Sequence, residues 1–169
     1  GERSTLGRRQ NHLLGYMPEE RGLYVKQTVL SQLRFFGELQ GLEKSELDDR
    51  INVLLTRLGI EKYGKRDLGD LSLGNQQRVQ LAVSILHKPR YFILDEPFSG
   101  LDPLGVEALI EILREEAESG VGILFSSHVL PYVREISKRV LILSDGKIHD
   151  YADPSISLPE FYQSLAVRK

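Results

Sequence analysis

Apolar positions recur along this chain with two periods, and the change from one to the other divides it. Val29, Leu33 and Phe36 fall at helical spacing behind Thr28, a residue suited to capping, and Gly41 closes the segment, so a helix is expected over 28–39. Ser45 followed three residues later by Asp48 reads as a capping box with Asp in place of Glu. Behind it Leu47, Ile51, Leu54, Leu55 and Leu58 carry a second amphipathic helix, which Gly59 stops. A third is expected over 75–86, with Val79, Ala82, Val83 and Leu86 on its apolar face and Pro89 beyond its end.

Past Pro89 short continuous apolar runs take over, at 91–94, 121–125 and 140–143. Such runs are expected of strands buried on both faces of a parallel sheet. Helical patterns at 104–117 and 130–137 separate them, and this alternation predicts an α/β fold with right-handed crossovers. Leu13, Leu14 and Tyr16 mark a further short strand ahead of Met17-Pro18. Ser144-Asp145-Gly146 turns the last run into Lys147-Ile148, and 158–165 is expected to be a final helix.

Composition narrows the function. With 169 residues the length suits one domain. The 22 Lys+Arg against 24 Asp+Glu leave a formal charge of −2, too little field to recruit nucleic acid or an anionic membrane directly. The absence of cysteine excludes disulfide scaffolds, thiolate metal sites and a cysteine nucleophile. No apolar run approaches the roughly 18–20 residues that span a bilayer, and the first 20 residues carry no signal-peptide core. Any membrane role is therefore expected to run through a partner.

Three segments carry candidate chemistry. Asp95 and Glu96 follow the apolar run Tyr91-Phe92-Ile93-Leu94, at the strand end where open parallel sheets bind ligands. An Asp there suits Mg²⁺, held largely through water, and a neighbouring carboxylate can orient or deprotonate an attacking water. Asp-Glu-Pro also begins a loop after any strand, so the pair alone leaves both readings open. Leu71-Ser72-Leu73-Gly74-Asn75-Gln76-Gln77-Arg78 opens a helix with Ser and Gly, where free N–H groups and the helix dipole favour a phosphate. Ser72 taken alone is better read as an ordinary cap, since capping serines are common. Phe125-Ser126-Ser127-His128 brings an imidazole to a third strand end, within the chemistry of hydrogen-bonding a terminal phosphate.

Taken in order, Leu-Ser-x-Gly, Leu-Asp-Glu-Pro, Ser-Gly-Leu-Asp-Pro at 99–103 and Ser-Ser-His resemble the ATP-binding-cassette (ABC) ATPases, over about 13–148. The run Gly15-Tyr16-Met17-Pro18-Glu19-Glu20-Arg21-Gly22-Leu23-Tyr24 looks like the Q-loop region of an exporter branch that includes sodium-efflux ATPase subunits. The resemblance implies a partial P-loop NTPase (RecA-like) α/β domain. Its parts would be a Q-loop region at 1–27, a helical subdomain at 28–70, an ATPase core at 71–150 and a tail at 151–169. It also implies roles. Asp95 would be the Walker B aspartate on Mg²⁺ and Glu96 the general base or water-orienting group. His128 would sense the γ-phosphate. Ser72, Gly74 and Asn75 would be the signature that closes on ATP held by an opposite subunit, and Asp102 would couple the two sites across the dimer. The family's Q-loop Gln aligns with Glu19, a metal or cofactor ligand of altered charge, with Glu20 as the alternative register.

The cofactors implied are ATP and Mg²⁺. The partners implied are a second ATPase subunit and transmembrane permease subunits, with no direct nucleic acid. The implied place is cytoplasmic, peripheral on the inner face of the cell membrane, where ATP hydrolysis would drive export. Two other readings share these motifs: a soluble ABC-type ATPase of DNA repair or chromosome organisation, and a degenerate, non-catalytic interaction module.

A phosphate-binding loop of the form Gly-x-x-x-x-Gly-Lys-Ser/Thr is expected of a working subunit. The nearest match is Gly59 to Arg66, which follows an amphipathic helix and has Arg66 where a hydroxyl is needed, so it is read as a helix terminator. The chain is accordingly expected to be an N-terminally truncated piece, inactive alone. Its strand at 91–94 is expected to lose neighbours and expose an edge, giving a marginal, aggregation-prone or dimer-dependent fold.

Overall fold

The computed structural model describes residues 13–20, 22–152 and 155–166. Residues 1–12 and Arg21 of the expected Q-loop region, and 153–154 and 167–169 of the tail, lie outside the described residues. The chain packs as two compact units, Gly1–Ser126 and Ser127–Lys169.

The first unit is built on a parallel sheet of three strands in the order β1 (Leu14–Met17), β2 (Tyr91–Leu94), β3 (Gly122–Phe125), so the 91–94 strand, expected to expose an edge, is instead the central one and is paired on both sides. Leu14 pairs with Tyr91, and Tyr91 with Gly122, so side chains alternate in step across all three strands. Met17, Phe92 and Leu94 are buried on one face, whereas Leu14, Tyr16, Tyr91, Ile93 and Leu124 are exposed on the other. This corrects the expectation that the 91–94 strand is buried on both faces. A continuous apolar run does not say which side is covered, and here only the Phe92 face is buried.

Helices α1 (Val29–Leu39) and α2 (Lys44–Arg57) pack on each other and on the helix that follows, burying Val29, Leu33, Leu47, Ile51 and Leu55, with Leu47 lying against Gly37. The Thr28 hydroxyl caps α1, accepting from the Ser31 N–H as expected. The capping box expected at Ser45 and Asp48 does not form. Helix α2 starts two residues earlier, Glu43 stands at its cap without a side-chain bond, and Asp48 instead accepts from Arg34 at 2.8 Å. Helix α2 ends as the sequence suggests: Gly59 takes φ +64, and the Ile60 and Gly59 N–H groups return to the Leu55 and Thr56 carbonyls. A 3-10 turn, Glu61–Tyr63, follows, so the Gly59 to Arg66 segment has neither the strand before it nor the α-helix after it that a phosphate loop needs.

Helix α3 (Leu73–Ile85) begins two residues before its expected start and is buried almost all round, with no single apolar face. Its buried set includes Gln77, Arg78, Gln80 and Ser84 beside Val79, Leu81 and Ala82. Each of these four residues makes at least one hydrogen bond, which offsets much of the cost of burial, although Arg78 Nε and Gln80 Oε1 are buried without a partner. Gln77 donates to the Glu96 carbonyl, Arg78 to the Leu58 carbonyl, Gln80 to the Pro18 carbonyl and Ser84 to the Leu81 carbonyl. The chain ends leaving β1, β2 and α2 are thus all held by one helix. Helix α4 (Pro103–Glu118) starts on Asp102, with Pro103 in its first turn, and packs Val106, Leu109, Ile110 and Leu113 inward.

In the second unit, α5 (Leu130–Ile136) is followed by an antiparallel hairpin of β4 (Val140–Ser144) and β5 (Lys147–Tyr151). Asp145 and Gly146 both have positive φ, the requirement of a tight two-residue hairpin turn. Residues 140–143, expected to continue the parallel series, therefore pair within a hairpin. Helix α6 (Leu158–Ala166) opens on a true capping box, in which Ser157 N–H and Oγ meet Glu160 Oε2 and the Glu160 N–H returns to Ser157 Oγ.

Candidate functional site

Because the three strands run parallel and in register, Met17, Leu94 and Phe125 end side by side. The next residues extend the ladder by one bond: Asp95 N–H donates to the Met17 carbonyl at 2.8 Å, and Ser126 N–H to the Leu94 carbonyl at 3.0 Å. Asp95 is therefore the last residue of its strand held by backbone pairing. Glu96 turns away with φ +46, a left-handed conformation rare for a side chain with a Cβ. Its N–H donates at 3.0 Å to the Ser126 hydroxyl, which itself donates at 2.5 Å to Asp95 Oδ1. Both carboxyl residues are half-buried. Sequence reasoning singled out Asp95 and Glu96 and passed over Ser126. The signal was a hydroxyl residue one position past a strand whose register runs beside the acidic one.

Glu19 and Glu20 stand on the same edge, exposed, immediately beyond β1. Their loop is fixed at its root, where the Pro18 carbonyl accepts from Gln80 Nε2 at 2.6 Å.

The signature-like residues form the first turn of α3. Ser72 does act as a cap, its Oγ accepting from the Asn75 N–H at 3.4 Å. Gly74 sits where a Cβ would lie 2.5 Å from the Gly100 carbonyl oxygen, so this turn packs directly on the 99–101 loop. The loop continues into Asp102, whose Oδ1 accepts from the Gly105 N–H at 2.8 Å and is closed upon by Arg78 Nη2. The Gly105 N–H, joined by the Arg78 guanidinium, holds the Asp102 carboxyl below the usual carboxylate range despite some loss of solvation. The structure thus brings Ser72, Gly74 and Asn75 together with the Glu96 and Asp102 loops through α3. His128 falls in the second unit, exposed and next to Ser127, whose hydroxyl accepts from the Val129 N–H.

Among the described residues no three His, Asp or Glu side chains gather into a metal cage. A single well-placed carboxylate nevertheless fits Mg²⁺, which takes one or two protein carboxylates and completes its shell with water and substrate phosphates. Asp95 commits Oδ1 to Ser126. Among the described residues no helix is long and apolar enough to cross a membrane.

A family model described as ABC transporter (ABC_tran) matches residues 4–99, a span that holds Ser72, Gly74, Asn75, Asp95 and Glu96. The chain is 47% identical over 134 residues to the uncharacterized ABC transporter ATP-binding protein YhaQ of Bacillus subtilis, covering 79% of this chain and 45% of that protein. It is 46% identical over 141 residues to the uncharacterized ABC transporter ATP-binding protein MJ1023 of Methanocaldococcus jannaschii, covering 83% and 54%. Against the ABC transporter ATP-binding protein NatA of Bacillus subtilis it is 33% identical over 129 residues, covering 76% and 52%. The solved structure of an ATP-binding subunit of an ABC transporter superposes with a TM-score of 0.86 at 30% identity, covering 94% of this chain and 70% of that one. The chain spans about half the length of these protein relatives.

Proposed function

From the premise that this chain belongs to the ABC transporter family, we propose that it supplies the hydrolytic carboxylates and the signature turn of an ATP-hydrolysing subunit. The observation that carries this reading is the placement of Asp95 and Glu96 at the C-terminal edge of a parallel sheet, with α3 anchored beside them. Asp95 would hold Mg²⁺, which supplies charge neutralisation for the ATP phosphates when bound. Glu96, on the adjacent turn, orients the attacking water and accepts its proton. Glu19 stands on the same edge as a further oxygen ligand toward metal or cofactor. The first turn of α3 at Ser72, Gly74 and Asn75, capped by Ser72 and seated on the 99–101 loop, would face ATP held by a second ATPase subunit, the helix dipole favouring phosphate. His128 contributes an imidazole to the γ-phosphate, and Asp102 ties the signature turn to the loop between the sites.

The partner implied is a pair of permease subunits in the membrane, with the chain peripheral on the cytoplasmic face. A docking place for them is suggested by Tyr24, Phe35 and Phe36, whose rings pack on one another at centroid separations of 5.3 to 6.3 Å. Tyr24 and Phe35 remain 55% and 48% exposed beside a cavity of about 300 Å³. Large aromatics half out of water are the usual anchors of an interface. Export is the direction favoured by the 15–24 run, which looks like the Q-loop region of an exporter branch.

The test is MgATP titration into this chain alone and into its mixture with an ATP-binding subunit that carries a phosphate loop. Expected is weak or no binding alone, and ATP-dependent association in the mixture that Gly74→Asp abolishes. Association indifferent to ATP and to Gly74 would overturn the reading.

A further inference from the structure

We propose that Ser126 is a positioning residue that locks the carboxylate of Asp95 and the backbone of Glu96 to each other. The inference rests on the reading of those two residues as the metal-holding and water-orienting groups. It adds a third member whose hydroxyl reaches both of them.

The polarity of the contact is fixed by chemistry. A backbone N–H can only donate and an ionised carboxylate can only accept, so the Ser126 hydroxyl must do both. The chain runs from Glu96 N–H to Ser126 Oγ at 3.0 Å and from Ser126 O–H to Asp95 Oδ1 at 2.5 Å. Each bond polarises the other in the same direction. The place is equally specific. The backbone ladder ends with the Ser126 N–H on the Leu94 carbonyl. One residue past Asp95, Glu96 has left the sheet at φ +46, and its N–H goes to the Ser126 side chain and not to the Ser126 carbonyl that the ladder would offer next. The serine side chain takes over at that point what backbone pairing does up to it. A left-handed turn at a residue with a Cβ persists only where its surroundings hold it, and this hydrogen bond is such a hold. It also engages Asp95 Oδ1.

One consequence separates positioning from ordinary packing. Asp95 does not receive the Glu96 N–H, yet removing its carboxylate frees the Ser126 hydroxyl to rotate and loosens the Glu96 amide at second hand. The experiment is amide hydrogen exchange by NMR on the full 169-residue chain, with Ser126→Ala, Ser126→Thr and Asp95→Ala. The Glu96 three-bond HN–Hα coupling serves as the signature of its φ. Ser126 is exposed, so the Phe92 and Leu94 amides should keep their native rates and act as the folding control. Expected is Glu96 exchange faster by about tenfold in Ser126→Ala, the scale of one lost hydrogen bond. A smaller rise is expected in Asp95→Ala, and native exchange and coupling in Ser126→Thr. Unchanged Glu96 exchange in Ser126→Ala overturns the proposal, as does failure of the Thr hydroxyl to rescue it. Loss of ATP-dependent association by the wild-type chain, with this exchange pattern intact, counts against the nucleotide reading alone and leaves the positioning role supported.

Discussion

The guanidinium of Arg78, on the second turn of α3, closes on the Asp102 carboxylate that caps α4, and its other nitrogen donates to the last turn of α2 at the Leu58 carbonyl, 2.9 Å away. The end of α2 and the start of α4 therefore meet at one side chain of α3. The coupling role expected of Asp102 toward a second subunit has to operate with this carboxylate already engaged inside its own chain. Movement of the 99–102 loop would be felt at α3, and so at the signature turn, without any intermediary.

Asp102→Ala removes both the cap and the ion pair. Loss of the cap costs about 1 kcal/mol, and leaving the Arg78 charge without its carboxylate adds roughly 1–3 kcal/mol. Asp102→Asn keeps an equally good capping oxygen and gives up only the charge, so its loss should be the smaller. Urea denaturation midpoints of the two variants separate the contributions, and equal losses would mean that the cap contributes nothing.

The depressed Asp102 carboxyl also sets a direction for acid stability. Its folded value lies below the unfolded one of about 3.9. Its contribution is therefore fully present above that unfolded value and is lost as pH falls through the folded one. Because the Asp102 side chain is 62% exposed, solvent screening keeps this contribution modest. Melting followed from neutral pH down to about pH 2 should show a shallower acid decline for Asp102→Asn than for the wild type, the range over which such a carboxylate protonates. Parallel curves would dismiss the pairing as a source of pH dependence.

Gly74→Ala sets a better helix former against a collision. Alanine gains up to about 1 kcal/mol in a helix interior. Its Cβ would stand 2.5 Å from the Gly100 carbonyl oxygen, backbone that can yield only by shifting the loop. Overpacking of this kind costs on the order of 1–3 kcal/mol, so net destabilisation is expected, with altered exchange at Gly100 and Leu101. A net rise in the midpoint would show that the loop gives way freely.

Gln80→Leu should lower stability by about 1 kcal/mol, the worth of one buried hydrogen bond, and release the Pro18 carbonyl that it holds at 2.6 Å. Limited proteolysis with a glutamate-specific protease should then cut at Glu19 or Glu20 several times faster than in the wild type. An unchanged cleavage rate would place the anchor of this loop elsewhere.

Much of this arrangement was legible from residue pattern. Thr28 as a cap, Gly59 as a terminator and the acidic pair after Tyr91-Phe92-Ile93-Leu94 are local matters, and local chemistry decided them. The two Ser-x-x-acid patterns show where local reading stops. Ser157 and Glu160 close a box, whereas Ser45 and Asp48 do not, because the Asp side chain is one methylene shorter and Arg34 of a neighbouring helix claims it. Helix α3 was read for an apolar stripe and missed for its polar residues. Gln77, Arg78 and Gln80 are buried by virtue of carbonyls far along the chain, which no periodicity reports. The exposed face of β2 escaped for a related reason: an unbroken apolar run carries no mark of the side that neighbours cover.

Glu96 holds a backbone shape that nearly any glycine would adopt more easily, at a saving of about 1–2 kcal/mol. Fitness at this position therefore has two gradients that point apart. A library sorted only for survival of heat should drift at residue 96 toward glycine or asparagine, and one sorted for turnover should keep the acid.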